Sequence, residues 1–209
     1  MAARIGLVGL GTMGAALSLN IAEKGFPIAV HNRTASVIDA FLASAGPLRD
    51  RLTGAETPGA FVAALEKPRA IIIMVNAGAP VDAVIAELAP LLDKGDLLIE
   101  AGNAEFRDTI RREKALAEQG LKFFGMGVSG GEEGARHGPS IMVGGPAEAL
   151  ERARPVLEAM GRTITHCGPL GAGQTVKLCN QIAVVLNNLA MAEALLFCSR
   201  SGVDPTVML

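Results

Sequence analysis

Ile5-Gly6-Leu7-Val8-Gly9-Leu10-Gly11-Thr12-Met13-Gly14 decides the fold, together with its continuation through Ala15 to Lys24, Gly25 and Pro27-Ile28-Ala29-Val30. An apolar run of strand length enters a glycine turn. An amphipathic segment comes next, Gly25 stops it, and a second apolar run begins. The turn reads G-x-G-x-x-G over Gly9–Gly14, in the strand–turn–helix context that gives this pattern its meaning. Gly9 permits the tight turn, Gly11 lets backbone approach a pyrophosphate, and Gly14 lets the helix pack closely on the strand. The helix N-terminus offers free N–H groups and the positive end of a dipole, so the stretch predicts a seat for a dinucleotide.

The second strand ends in His31-Asn32-Arg33-Thr34. A cofactor without a 2′-phosphate meets an Asp or Glu there, about twenty residues after the glycines, bonding the ribose hydroxyls. This chain has no acid at that place. Arg33 instead offers a planar, permanently charged fork suited to phosphate, and Asn32 and Thr34 add neutral hydrogen-bonding groups. The predicted cofactor is NADP.

Outward from this start, strands and helices alternate. The pattern predicts strands over 4–8, 28–31, 70–75, 97–100, 122–125, 140–143 and 163–166. It predicts helices over 12–23, 35–44, 58–65, 80–91, 106–119 and 146–160. Such alternation implies a mostly parallel sheet with helices on both faces, and right-handed crossovers make it doubly wound. Ligands bind outside the carboxyl ends of such strands. The candidate loops are therefore 9–14, 32–34, 76–78, 101–103 and 127–131. Gly125–Gly145 is rich enough in glycine to wrap an anion with backbone N–H groups, and Ser129 adds a hydroxyl.

Composition sets bounds. The chain has 209 residues, half of them hydrophobic, with no Trp or Tyr, so aliphatic residues and Met must fill the core. A formal charge of -2 gives no basic field for nucleic acid. No uninterrupted apolar run reaches bilayer length, so no membrane partner is expected. The chain enters a strand at once, so no targeting segment is expected. Cys167, Cys179 and Cys198 lack metal spacing and read as reduced, mostly buried thiols of a cytoplasmic protein. His31, His137 and His166 are too scattered for a metal site.

Residues 174–201 form one long apolar, helix-favouring stretch, ended by Gly202 and Pro205. It is hydrophobic on more than one face and needs cover from another domain or subunit. The reading is a dinucleotide-binding domain over 1–170. A long helix over 171–209 begins a helical domain that is absent or supplied by a partner, and it suggests a homodimer. Lys177 falls in the first turn of this helix, where the dipole and partial burial both disfavour its charge, and Asn180 and Gln181 reach the same side. On spacing alone, a solvated surface lysine fits equally well.

The chain resembles the β-hydroxyacid dehydrogenase superfamily. Over residues 1–140 it looks most like 6-phosphogluconate dehydrogenase, through Ile5–Gly14, His31–Thr34, Gly102–Thr109 and, most specifically, Val128-Ser129-Gly130-Gly131-Glu132-Glu133-Gly134-Ala135-Arg136-His137-Gly138-Pro139-Ser140. Over 141–209 it is more similar to 3-hydroxyisobutyrate dehydrogenase and tartronate semialdehyde reductase. Ile141–Gly145, Gly171–Gln174 and Lys177–Gln181 carry that similarity.

The resemblance implies roles. Gly9, Gly11, Thr12, Met13 and Gly14 would hold the pyrophosphate, and Asn32, Arg33 and Thr34 the 2′-phosphate. Val75, Asn76 and Ala77 would line the ribose and nicotinamide, and Asn103 would sit where cofactor and substrate meet. Ser129, Gly130 and Gly131 would grip a substrate carboxylate. Lys177 would move the proton of the 3-hydroxyl, with Asn180 and Gln181 orienting the substrate. Where 6-phosphogluconate dehydrogenase has a His-Asn pair, then a glutamate and a tyrosine, this chain has Asn180-Gln181, Val184 and Val185. The resemblance thus implies reversible oxidation of a small 3-hydroxy acid, or reduction of a semialdehyde, with NADP. The alternatives are oxidative decarboxylation of 6-phosphogluconate, and a cofactor-binding module without turnover.

Overall fold

The computed structural model describes residues 2–209, the side chain of Arg152 apart, so Met1 lies outside the described residues. Eight strands form one sheet: β1 (Ile5–Val8), β2 (Ile28–His31), β3 (Leu52–Ala55), β4 (Ala70–Ile73), β5 (Leu97–Glu100), β6 (Lys122–Ser129), β7 (Ser140–Gly144) and β8 (Thr163–Gly168). Their spatial order is β3-β2-β1-β4-β5-β6-β7-β8. The pairs from β3 to β6 are parallel, β7 runs antiparallel to β6, and β8 is parallel to β7. This is the doubly wound, Rossmann-type sheet, and its order reverses between β1 and β4.

The helices are α1 (Thr12–Glu23), α2 (Ala35–Ser44), α3 (Pro58–Ala63), α4 (Ala79–Leu88), α5 (Phe106–Ala117), α6 (Gly131–His137), α7 (Ala147–Glu158) and α8 (Ala172–Arg200). The sheet is covered on both faces, which is why β1, β2, β4 and β5 are buried at every residue. Side chains alternate between two cores. Leu7 and Ile72 pack with Leu17 and Ile21 of α1 and Leu157 of α7, while Ile71 and Ile73 pack with Phe61 of α3, Leu88 of α4 and Leu116 of α5. The buried Asn20 of α1 donates to the carbonyls of Ala135 (3.0 Å) and Met160 (2.8 Å), which fastens α6 and the end of α7 to the nucleotide-binding half.

Four features differ from the sequence reading. The first is β3, which lacks an apolar run because only its two ends are buried. The second is α6, a real helix inside the glycine-rich loop after β6. Its first turn carries Glu132 and Glu133 and its last turn Arg136 and His137, each opposing the dipole correctly. The third concerns the cysteines: Cys179 is exposed and Cys167 and Cys198 are half-buried, not buried. Cys179 and Cys198 lie on α8 and Cys167 on the edge strand β8. The fourth is the start of α8 at Ala172, which puts Lys177 in its second turn, not its first.

Helix α8 also corrects the expectation about bilayer length. It has 29 residues and an 18-residue window of mean hydropathy 1.7, long and apolar enough to cross a membrane by length and composition. Single polar residues such as Asn187, Asn188 and Glu193 interrupt every run, which hides it from a reading by runs. Only its first turns meet the sheet, where Gly173 and Gln174 are buried. Beyond them Leu178, Ile182, Val185, Leu186, Leu189, Leu196 and Phe197 are exposed.

Candidate functional site

The pairings Val8↔His31, Val8↔Ile73 and Ile73↔Glu100 align the ends of β1, β2, β4 and β5, so the loops after them rise along one edge, while Glu100↔Gly125 places the middle of β6 beside them and β6 continues to Ser129, through the first part of the expected loop 127–131. At the reversal of strand order they enclose a cleft of about 960 Å³. Its walls bring together Gly11, Thr12, Met13, Gly14, Val75, Asn76, Ala77, Asn103, Ser129, Gly130, Gly131, Lys177 and Gln181. Gly9 lies beneath this surface. Arg33, Thr34 and Asn180 are exposed and lie outside the lining. Asn180 stays near it through Gln181, whose Oε1 accepts from Asn180 Nδ2 at 3.5 Å.

The three glycines of the first turn have separate tasks. Gly9 has φ +102, and a Cβ there would press on the Met74 carbonyl and lie 2.8 Å from Val75 Cγ1. A Cβ on Gly14 would strike the Gly9 carbonyl oxygen, so this glycine closes α1 onto the turn. Gly11 has ordinary φ, -69, and nothing within 4 Å of an added Cβ. Its bareness serves open space on the cleft wall. The N-terminus of α1 has no side-chain cap and no acid in its first turn. Its free N–H groups and dipole therefore face the cleft without compensation, which suits an anion. Leu10 N–H donates to Asn32 Oδ1 at 3.1 Å, locking the end of β2 to the glycine turn, with Arg33 and Thr34 exposed just after it. These residues fit a phosphorylated dinucleotide.

The opposite wall carries Lys177. Lys177 Nζ donates to Asn103 Oδ1 at 2.5 Å. Burial lowers the Lys177 pKa, and among the described residues no acid offsets that effect. The lysine reaches the cleft because glycines let α8 lie almost on the sheet. A Cβ on Gly127 would lie 2.7 Å from Lys177 Cβ, and one on Gly144 would lie 2.6 Å from Gly173 N. Next to it, Ser129 ends β6, and Gly130 (φ +134) and Gly131 (φ +62) turn the chain into α6.

Two parts of this region lie outside the sequence expectations. Gln174, one turn before Lys177, is 6% exposed, and among the described residues neither its Nε2 nor its Oε1 has a partner. It occupies the room left by Gly125. Beneath the cleft, Glu100 is fully buried and accepts from Thr109 Oγ1 and Arg112 Nη1. Burial pushes its carboxyl pKa up, against the pull of Thr109 and Arg112. Arg112 shares the buried stripe of α5 with Thr109 and Leu116, and nothing local in the sequence marks an arginine there as buried.

Residues 4–168 match the family described as the NAD-binding domain of 6-phosphogluconate dehydrogenase. Residues 171–209 match the one described as NAD-binding of NADP-dependent 3-hydroxyisobutyrate dehydrogenase. The first match thus extends past residue 141, where the motif resemblance changes. The chain is 50% identical over 184 residues to 6-phosphogluconate dehydrogenase, decarboxylating 1, of Spinacia oleracea, covering 84% of this chain and 38% of that protein. It is 47% identical over 181 residues to the NADP(+)-dependent, decarboxylating 6-phosphogluconate dehydrogenase of Bacillus subtilis, again covering 84% of this chain and 38% of that protein. The chain therefore spans less than two-fifths of these relatives' length. Among solved structures, Mycobacterium tuberculosis 3-hydroxyisobutyrate dehydrogenase with L-serine aligns at TM-score 0.83 and 28% identity, over 98% of this chain and 67% of that one. Plasmodium falciparum 6-phosphogluconate dehydrogenase aligns at TM-score 0.76 and 36% identity, over 83% and 38%.

Proposed function

This chain belongs to the family of NAD-binding domains of 6-phosphogluconate dehydrogenase, within the β-hydroxyacid dehydrogenase superfamily, and from that membership we propose that it is an NADP-dependent oxidoreductase acting on the 3-hydroxyl of a small 3-hydroxy acid, or on a semialdehyde in reverse. The observation that carries the reading is the half-buried Lys177 amine hydrogen-bonded to Asn103 on the cleft wall.

When bound, NADP supplies the acceptor for hydride. The chain's own residues do the rest. The N–H groups at Gly11–Gly14 hold the pyrophosphate, and Arg33, with Asn32 and Thr34, holds the 2′-phosphate. Val75, Asn76 and Ala77 line the nicotinamide half. Ser129, Gly130 and Gly131 bind the substrate carboxylate, and Asn180 and Gln181 orient the substrate. Lys177, in its neutral form, takes the 3-hydroxyl proton and returns it in the reducing direction, while Asn103 fixes its amine.

A small substrate is favoured by Val184 and Val185, which offer no acid to protonate an enol and no phenol to hold a sugar phosphate. The identities of 47–50% to decarboxylating relatives favour a second reading, oxidation of 6-phosphogluconate with loss of CO2. Residues 1–170 form the cofactor domain in this proposal, and 171–209 begin a helical unit that pairs two copies in the cytoplasm. Titration with NADPH and NADH, then assay of 3-hydroxy acids, semialdehydes and 6-phosphogluconate with CO2 detection, tests it. Preference for NADPH and turnover of a small acid without CO2 supports the main reading. CO2 release from 6-phosphogluconate establishes the second. Cofactor binding with no turnover of any of these makes the chain a binding module.

A further inference from the structure

Two loops form the nicotinamide half of the cleft, one after β4 with Val75, Asn76 and Ala77, the other after β5 with Gly102 and Asn103. They touch: a Cβ on Gly102 would lie 2.7 Å from the Val75 carbonyl oxygen. Beneath that contact lies Arg112 of α5, its side chain 2% exposed. Its Nη1 donates to Oε1 of Glu100, the last residue of β5, at 2.6 Å. Its Nη2 donates to the carbonyl oxygen of Gly78, the N-cap of α4, at 3.0 Å. Its Nε and Nη2 grip the two carboxylate oxygens of Asp82 in the first turn of α4, each at 2.9 Å. One guanidinium thus spans the base of both loops.

We propose that Arg112 is a positioning residue that sets the nicotinamide half of the cleft by clamping the loops after β4 and β5 in fixed register, and so sets Asn103 against Lys177. The inference rests on the reading of the cleft as an NADP site. Its logic is the geometry of the fork. The planar guanidinium bonds one carboxylate on the β5 side, and another carboxylate and a carbonyl on the α4 side. A lysine offers one point charge and cannot span them. The adenosine half lies elsewhere, on Gly11–Gly14 and Asn32–Thr34, and makes no use of the clamp.

That separation gives the test. The full chain and its Arg112→Lys and Asp82→Asn variants are titrated with NADPH and with adenosine 2′,5′-bisphosphate, which carries the adenosine half alone. The clamp requires bisphosphate affinity to stay as in the parent while NADPH affinity falls about tenfold in Arg112→Lys. Asp82→Asn shows a smaller loss of the same kind. Its carboxylate is 40% exposed, so this variant keeps its fold should Arg112→Lys fail to. In the folded variants turnover falls further than NADPH affinity, by about a hundredfold, because Asn103 moves relative to Lys177. Equal loss for both ligands, or no loss for either, overturns the clamp. A parent chain that binds NADPH no better than the bisphosphate overturns the clamp alone, and one that binds neither overturns the NADP reading itself and the clamp with it.

Discussion

At the scale of single residues, the cleft is built by what is missing as much as by what is present. Gly9, Gly11 and Gly14 lack a Cβ for three different reasons: a left-handed turn, an open wall and a backbone contact. In the proposed reaction the chemistry falls on one amine. Lys177 is a base only when neutral, and burial lowers its pKa below the ordinary lysine value of about 10.4. This fixes the sign of the pH dependence. Oxidation of a 3-hydroxy acid rises with pH through this pKa, because the protonated amine cannot accept. Reduction falls through the same pKa, because the neutral amine cannot donate. Lys177→Met abolishes the inflection and costs about 100- to 10,000-fold in turnover, with NADPH affinity kept. Steady-state rates from about pH 6 to 10.5 in both directions check this. The same slope in the variant's residual activity would remove Lys177 from the mechanism.

At the scale of elements, the site depends on how closely α8 lies on β6 and β7. The motif Gly171-Ala172-Gly173-Gln174 announces a tight approach, yet the sequence does not say against what. The partners are Gly125, Gly127 and Gly144, on strands distant from the helix in sequence. Local periodicity carries no information about such pairs. The first turn and the alternation of elements were legible because their physics is local. The α6 helix was not, since glycines mask it and only its end charges reveal it. Neither was Arg112, whose burial needs Glu100 and Asp82 as partners. Gly127→Ala tests the seat of α8. Its Cβ would lie 2.7 Å from Lys177 Cβ and 3.1 Å from the Gly173 carbonyl oxygen, so the helix backbone must yield. The variant loses about 1–3 kcal/mol in urea unfolding and about a hundredfold in turnover, while NADPH binding on the far wall stays within about twofold. Wild-type turnover would show that α8 tolerates the displacement and that Lys177 is not held by this contact.

At the scale of the whole molecule, the cleft is walled on the side of the sheet while α8 leaves it bearing an apolar surface. Leu178, Ile182, Val185, Leu189, Ala192 and Leu196 are exposed, and they recur at alternating spacings of four and three. That spacing suits the seam of a helix packed on another helix. The helix has 29 residues, about 43 Å, and only its first turns meet the sheet. A second copy offers the same stripe, and pairing the two would bury both without changing either cofactor domain. The expected state is a dimer at micromolar concentration in sedimentation velocity. Leu189→Asp, at the middle of the stripe and 56% exposed, places a charge in that seam and yields a monomer. NADPH affinity in the variant is unchanged, because residue 189 lies about three turns beyond Lys177. A parent chain that sediments as a monomer, or a dimer indifferent to Leu189→Asp, would exclude pairing through this helix.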